Sequence, residues 1–186
     1  MKHALFPLRL AAALLLLAAS AGCSPLPLSR PDEAVDREAL DDVAEQACGL
    51  RRQAVLRAIN RARASARECG DRHMSAAPPL QWNLQLYWAA AAHSRDMARQ
   101  DYVEHRDPAG ESVRERVRMQ AYPWRHVGEN IAGGTDSLDH TVDVWLASPS
   151  HCENLMEPDY RDVALACAER AGTEYENYWT LVMARK

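Results

Sequence analysis

The sequence predicts an α+β fold in which helices come first and a hairpin of two strands comes last. The strongest helix pattern covers residues 84–100, where apolar side chains recur at helical spacing and form one inward stripe. This stripe consists of Leu86, Ala90, His93 and Met97. Near the C-terminus, large apolar residues alternate with other residues, which is typical of strands. The alternating residues are Val163, Leu165 and Cys167 in one strand and Trp179, Leu181 and Met183 in the other.

The remaining elements are predicted from their own local patterns. Further helices are predicted, in chain order, at residues 36–47, 50–67, 111–120 and 138–146. Asn83 is a good N-cap for the helix at 84–100, and residues 170–176 contain turn residues that can join the two strands. Because His93 lies on an inward stripe, we expect it to be a buried structural histidine rather than a ligand.

Residues 1–22 have the pattern of a secretory signal. Lys2 and Arg9 precede the apolar run LAAALLLLAA, which is too short to cross a bilayer as a helix but suits a signal sequence. Two cleavages remain open. The residues ASA, which end at Ala21, fit an ordinary signal peptidase, whereas AGC, which ends at Cys23, resembles a bacterial lipobox with a lipidated cysteine. Ser20 stands where a lipobox usually has leucine.

The odd number of cysteines favours lipidation of Cys23. The chain has five cysteines, namely Cys23, Cys48, Cys69, Cys152 and Cys167. Lipidation of Cys23 leaves four thiols, which can form two disulfides in an oxidising compartment. Three pairings are possible, and proximity in the sequence favours Cys48–Cys69 and Cys152–Cys167.

These features predict three segments and a location. Residues 1–22 form the signal peptide, residues 23–35 the lipid-anchored cysteine with a proline-rich tether, and residues 36–186 one domain. We expect a membrane-anchored lipoprotein of the cell envelope, in the outer membrane or periplasm if the cell has two membranes. The alternative is a secreted protein. The net charge of -4 argues against a nucleic-acid partner, and the arginines of residues 51–72 are interpreted as a solvated helix face.

No standard catalytic motif is present: the chain lacks G-x-S-x-G, H-E-x-x-H and a phosphate-binding loop. Instead, short motifs follow one another in a fixed order. They are LQWN (80–83), AAHSRDMA (91–98), YVEHRD (102–107), GENIAGG (128–134), WLASPSHCENLM (145–156) and YWTLVM (178–183). In this order the motifs resemble the bacterial branch of the CAP superfamily, also called the SCP domain, which covers cysteine-rich secretory proteins, antigen 5 and pathogenesis-related 1 proteins. The resemblance spans roughly residues 50–184 and implies a three-layer α-β-α sandwich with a central antiparallel sheet.

The resemblance also implies a cleft, which animal and plant members line with two histidines and two glutamates. His105 matches the first histidine, and Glu129 matches the glutamate of the GEN motif. Ser148 stands in place of the second glutamate and Tyr178 in place of the second histidine, whereas the bacterial branch carries a histidine that matches His151. These departures weaken any transfer of metal binding from the animal and plant relatives.

We therefore predict that His105, Glu129 and His151 converge in one cleft, with Ser148 and Tyr178 on its rim. Gly128 is expected to let the backbone turn and aim the Glu129 carboxylate inward. The same three ionisable residues are candidate ligands for a divalent metal ion such as zinc. His151 and Cys152 are adjacent, so their side chains diverge and we expect separate roles, with His151 in the cleft.

Three functions are compatible with this interpretation. The first is a non-enzymatic envelope domain that binds a small ligand, a lipid or a partner in the cleft. The second is a hydrolase that depends on the His/Glu cluster or on a metal. The third is a structural lipoprotein with a vestigial cleft.

Overall fold

In a computed structural model of the protein, residues 48–186 are described. The predicted signal peptide, the predicted lipidation site Cys23, the predicted tether and the helix predicted at 36–47 lie outside the described residues. The helices are α1 (Arg52–Arg63), α2 (Leu84–Gln100), α3 (Val113–Met119), α4 (Leu138–Ala147) and α5 (Pro149–Met156). The strands are β1 (Arg67–Cys69), β2 (Arg72–Met74), β3 (Gln81–Trp82), β4 (His126–Gly133), β5 (Asp162–Glu169) and β6 (Asn177–Arg185).

The main sheet has the strand order β3-β5-β6-β4. The long strands β5 and β6 form the predicted antiparallel hairpin, and β4 pairs antiparallel with the other side of β6. Only β3, with two residues, is parallel to its neighbour β5. The expected antiparallel sheet is therefore confirmed for its long strands, with one short parallel edge.

Helices cover both faces of this sheet, as the three-layer prediction requires. On β5, Val163 and Leu165 face the cluster that includes α1, α4 and α5. The intervening Ala164 and Ala166 face α2 and α3. Side chains of a strand alternate between faces, so one strand supplies both cores. The small alanines let the long helix α2 lie close to the sheet.

Helix α2 is the element that the sequence predicted most accurately. It covers Leu84–Gln100, and the Asn83 side chain accepts hydrogen bonds from the backbone N–H groups of Gln85 and Leu86. His93 is 1% exposed, which confirms that it is buried, and its Nε2 donates to the Glu104 carbonyl at 2.9 Å.

Two local predictions are corrected. The helix predicted at 50–67 ends at Arg63, and the chain then forms an unpredicted hairpin from β1 and β2. Gly128 does not form a turn, because it lies within β4 opposite Met183. Its lack of a side chain is needed for a different reason: a Cβ atom there would collide with the Tyr160 hydroxyl and the Asn154 side-chain oxygen.

Two disulfides are present, but the pairing favoured by sequence proximity is wrong. Cys48 bonds to Cys167, and Cys69 bonds to Cys152. The β1–β2 hairpin packs against α5 and brings Cys69 to Cys152, whereas β5 carries Cys167 on the face covered by α1. The partners are 119 and 83 residues apart in sequence, so tertiary packing decides the pairing.

Among residues 48–186, no helix has the length and apolar character needed to cross a membrane.

Candidate functional site

Glu129 lies on the edge strand β4 and its side chain is only 2% exposed. It is opposite Val182 of β6 and therefore faces the α2/α3 side of the sheet. Burial of a carboxylate is costly unless a partner compensates the charge. That partner is Arg116 of α3, whose Nη2 donates to Glu129 Oε2 at 2.7 Å while its side chain is 4% exposed.

Arg116 also holds the loop that carries His105. Its guanidinium donates to the backbone carbonyls of Glu111 at 2.8 Å and His105 at 3.1 Å. His105 Nδ1 lies 2.9 Å from Glu129 Oε1, and the His105 side chain is 54% exposed. Because the carboxylate accepts hydrogen bonds only, Nδ1 carries a proton, and in the neutral form of the ring Nε2 keeps a free lone pair. The buried ion pair thus orients a solvent-accessible imidazole.

His151 lies on α5 and completes the group. Its ring centroid is 6.4 Å from that of His105. Burial lowers the pKa of His151 below its ordinary value, and the nearby charge of His105 lowers it further. His151 is therefore neutral near pH 7 and can act as a ligand or a hydrogen-bond acceptor. Its neighbour Cys152 is buried and bonded to Cys69, so the thiol is not free to share a ligand with His151.

A chain of amide groups fixes α5 against β4. The Asn130 side chain donates to the His151 carbonyl at 3.0 Å, and Asn154 donates to Asn130 at 2.8 Å. The Tyr160 hydroxyl in turn donates to Asn154 at 2.8 Å. This chain passes beside Gly128, and it ties the backbone of His151 to Asn130, the residue that follows Glu129 in β4.

The two residues predicted for the rim, Tyr178 and Ser148, are placed differently from His105, Glu129 and His151. Tyr178 is 0% exposed and its hydroxyl donates to Asp101, so it cannot form a rim. It faces the same side of the sheet as Glu129 but is opposite Gly133, four positions further along β4. Ser148 is half-buried at the start of α5 and makes no side-chain capping bond to that helix.

The three residues do not fit a site in which all of them bind one metal ion directly. Both carboxylate oxygens of Glu129 are engaged, one by His105 and the other by Arg116. A zinc ion would have His105 Nε2 and His151 as direct ligands, with Glu129 as the outer carboxylate that orients a zinc-binding histidine. Two protein ligands are fewer than the three or four that zinc sites usually have.

Sequence reasoning missed Arg116, although a signal for it exists. Val113, Arg116 and Val117 fall at helical spacing on one face, so Arg116 interrupts an apolar stripe. A charged residue on an inward stripe needs a buried partner, and this argument points to Glu129 or another acid.

A second group of possible metal ligands was also missed. Ligand atoms of His126, Glu157 and Asp159 lie within 4.8 Å of one another. Asp159 already pairs with Arg185 at 3.3 Å, which reduces the negative charge offered to a cation. No spacing signature joins these residues, because His126 precedes the other two by about 30 positions along the chain.

The comparison with known families decides the identity of the domain. The profile described as "CAP: Cysteine-rich secretory protein family" matches residues 56–183. The chain belongs to this family. The recognition made from the motifs is thereby confirmed, and the three-layer fold is that of a CAP domain.

Relatives of this CAP domain include bacterial proteins. The protein YkwD of Bacillus subtilis is 27% identical over 99 residues, which cover 53% of this chain and 38% of YkwD. Among solved structures, an extracellular protein containing an SCP domain from Bacillus anthracis is 26% identical with a TM-score of 0.51, covering 59% of this chain and 35% of that one. The chain thus spans less than half the length of either relative.

A more distant structure shares the fold alone. An outer surface protein from Borrelia burgdorferi is 18% identical with a TM-score of 0.54, and the match covers 59% of this chain and 80% of that protein.

Proposed function

We propose that this CAP-domain protein works outside the cytoplasm as a binding module and that His105, Glu129 and His151 form its binding site. The observation that carries the proposal is the buried Arg116–Glu129 pair. It holds the other oxygen of Glu129 within hydrogen-bonding distance of Nδ1 of the half-exposed His105. Because the Glu129 carboxylate is fixed, it holds the imidazole of His105 in one orientation. This ligand-binding group is therefore preorganised before a ligand arrives.

The ligand is expected to contact two imidazole nitrogens. His105 offers Nε2, and the neutral His151 offers a second nitrogen within the same cleft. A weakly bound divalent ion such as zinc, the polar head of a small lipid, or a side chain of a partner protein can each satisfy this pair. The buried carboxylate stays behind the histidines and is not itself a direct contact.

A hydrolase is the second candidate, because many hydrolytic sites use an imidazole that is oriented by a carboxylate as their general base. Such a site needs a nucleophile or an activated water within hydrogen-bond reach of the histidine. Among the described hydrogen bonds, none links the Ser148 hydroxyl to His105 or His151. This favours binding over covalent catalysis.

The location rests on three separate observations. The chain begins with a signal pattern followed by Cys23, and its CAP domain contains two disulfides, which persist in oxidising compartments. The similar protein from Bacillus anthracis is described as extracellular. We propose that Cys23 is lipidated and that the proline-rich residues 24–31 hold the domain away from the membrane surface.

Cell fractionation tests the anchor. The variant Cys23→Ser should move the protein from the membrane fraction to the soluble exported fraction, while the four disulfide cysteines remain oxidised. Retention of the variant in the membrane at the wild-type level would contradict lipidation. That result would not bear on the proposed binding site.

Mass spectrometry of molecules that copurify with the full-length protein tests the binding site. The variant His105→Gln should lose a copurifying ligand that the wild type retains. The matched control is His140→Gln, because His140 is similarly exposed and also pairs with a carboxylate, that of Asp136 at 3.0 Å. Equal ligand content in wild type and both variants would overturn the proposed site. Hydrolysis of a simple ester that is lost in His105→Gln would instead favour the hydrolase.

A further inference from the structure

The loop between α2 and α3 carries His105, and two buried side chains hold the backbone of this loop. His93 of α2 donates from Nε2 to the Glu104 carbonyl at 2.9 Å. Arg116 of α3 donates to the next carbonyl, that of His105, at 3.1 Å. Residues 104–106 are exposed, so their own side chains bury little surface that could fix the loop. The two hydrogen bonds therefore set the position of His105.

The hydrogen bond from His93 requires one particular form of its ring. The Glu104 carbonyl oxygen only accepts, so Nε2 carries the proton. The other ring nitrogen, Nδ1, is buried and has no hydrogen-bond partner among the described residues. In the neutral ring Nδ1 is an unpaired acceptor, whereas in the protonated ring it would be a charged N–H donor with nothing to accept its proton. A buried charged group without a partner is the more costly of the two, so the closed loop disfavours protonated His93.

Charged groups and one phenol approach His93 from α2, the loop, α3 and β4. They are Asp96, Tyr102, Asp107, Arg116 and Glu129. All three acids already accept hydrogen bonds from other groups. Burial lowers the pKa of His93; the charges of Glu129 and Asp107 oppose this effect, and the charge of Arg116 adds to it. The surroundings of the closed loop therefore favour the neutral ring.

A protonated His93 needs water or another acceptor at Nδ1, and the exposed loop is the part of its surroundings that can open to admit it. Helix α2 itself is held in place, because the hydroxyl of the adjacent Ser94 donates to Thr180 of β6 at 2.9 Å. Segments that bury little apolar surface open at the lowest free-energy cost. Since the loop carries His105, its opening also breaks the hydrogen bond between His105 and Glu129.

We propose that neutral His93 is a positioning residue for the His105 site, which holds the loop closed and His105 against Glu129, and that protonation of His93 opens the loop and releases His105. This inference rests on the proposed binding role of His105. A ligand that needs the fixed imidazole then binds more weakly at acid pH. By reciprocity, such a ligand keeps the loop closed and opposes protonation of His93.

Nuclear magnetic resonance of side-chain N–H protons tests this proposal on the full-length protein in detergent, between about pH 7 and pH 5. The reporter is the Nδ1–H of His105, which is hydrogen-bonded to Glu129 while the loop is closed. Protonation of His105 itself keeps this N–H and strengthens its bond to the carboxylate. We nevertheless expect the signal to be lost as the pH falls, because the open fraction of the loop should rise by up to about tenfold for each pH unit below 6.5.

The variant His93→Gln is the matched test, because its amide N–H can still donate to Glu104 and its side chain does not titrate. The His105 signal should therefore persist in this variant down to about pH 5. The variant His93→Leu removes the donor and should weaken the signal already at neutral pH. The indole N–H groups of Trp145 and Trp179, which donate to buried backbone carbonyls at 2.9 Å and 3.0 Å, are internal controls and should keep their signals in every sample.

Three results would overturn the proposal. The first is a His105 signal that is missing at neutral pH in the wild type, because the loop would then not be closed. The second is a His105 signal that depends on pH in the same way in the wild type and in His93→Gln. The third is loss of the Trp145 and Trp179 signals together with that of His105, because protonation would then loosen the whole domain.

The test stands if one variant fails and if no ligand is known. If His93→Leu does not fold, the comparison of the wild type with His93→Gln decides alone. None of these measurements uses a ligand, so their outcome is separate from the loss of a copurifying ligand in His105→Gln, which tests the proposed function.

Discussion

Arg116 on α3 and Glu129 on β4 form an ion pair of 2.7 Å in which neither side chain is more than 4% exposed. The pair joins a helix to the edge strand of the sheet and at the same time orients His105. A single buried contact therefore supports both the fold and the candidate binding site. A substitution of Glu129 is therefore expected to change the stability of the fold as well as any binding at His105.

The variant Glu129→Gln should be strongly destabilised, because it leaves the buried Arg116 charge without its counterion. Removal of one partner of a buried pair costs about 3–5 kcal/mol. Urea unfolding followed by circular dichroism measures this cost. His105→Gln is the control, since a half-exposed side chain should change the unfolding free energy by only about 0.5 kcal/mol. Near-wild-type stability of Glu129→Gln would contradict the importance of the buried pair for the fold.

Peptide mapping without reduction should recover Cys48 joined to Cys167 and Cys69 joined to Cys152. The double variant Cys69→Ser/Cys152→Ser should lose about 2–5 kcal/mol of unfolding free energy, because the bond closes a long loop in the unfolded chain. Thermal or urea unfolding of the oxidised variant measures the loss. Recovery of peptides that join Cys152 to Cys167 would refute the structural pairing.

Stability should fall as the pH decreases below the ordinary histidine pKa. Burial depresses the pKa of His93 from 6.5, so the unfolded chain takes up a proton at a pH where the folded protein does not. The contribution is complete above pH 6.5 and is lost as the pH falls from there towards the lowered folded pKa. Urea unfolding between about pH 7 and pH 5.5 measures the slope.

The same series in His93→Gln should have a smaller slope, with a remainder from His151, whose pKa is also lowered. An unchanged slope in His93→Gln would show that His93 is not the group that titrates.

Zinc should bind weakly and through His105 and His151. Structural zinc sites bind with about 10–16 kcal/mol, and a site with two imidazole ligands should be far weaker. Calorimetric titration at neutral pH should detect binding that His105→Gln abolishes and His126→Gln preserves. The opposite pattern would assign the metal to His126, Glu157 and Asp159 instead.

Local sequence patterns determined much of the fold. The bounds of α2 and the β5–β6 hairpin were predictable, because the apolar stripe of a helix and the alternation of a strand can both be recognised in a short segment of sequence. The motif order identified the family. It also named His105, Glu129 and His151, but it did not determine their distances or their partners.

Only the tertiary structure decided which distant residues meet. The disulfide pairing, the burial of Tyr178 and the role of Arg116 all depend on packing between elements far apart in sequence. Gly128 illustrates the limit: its neighbours in the chain suggest a turn, whereas its neighbours in space, Tyr160 and Asn154, require that it lack a side chain. A sequence pattern reports which face a residue occupies, and the three-dimensional packing determines what covers that face.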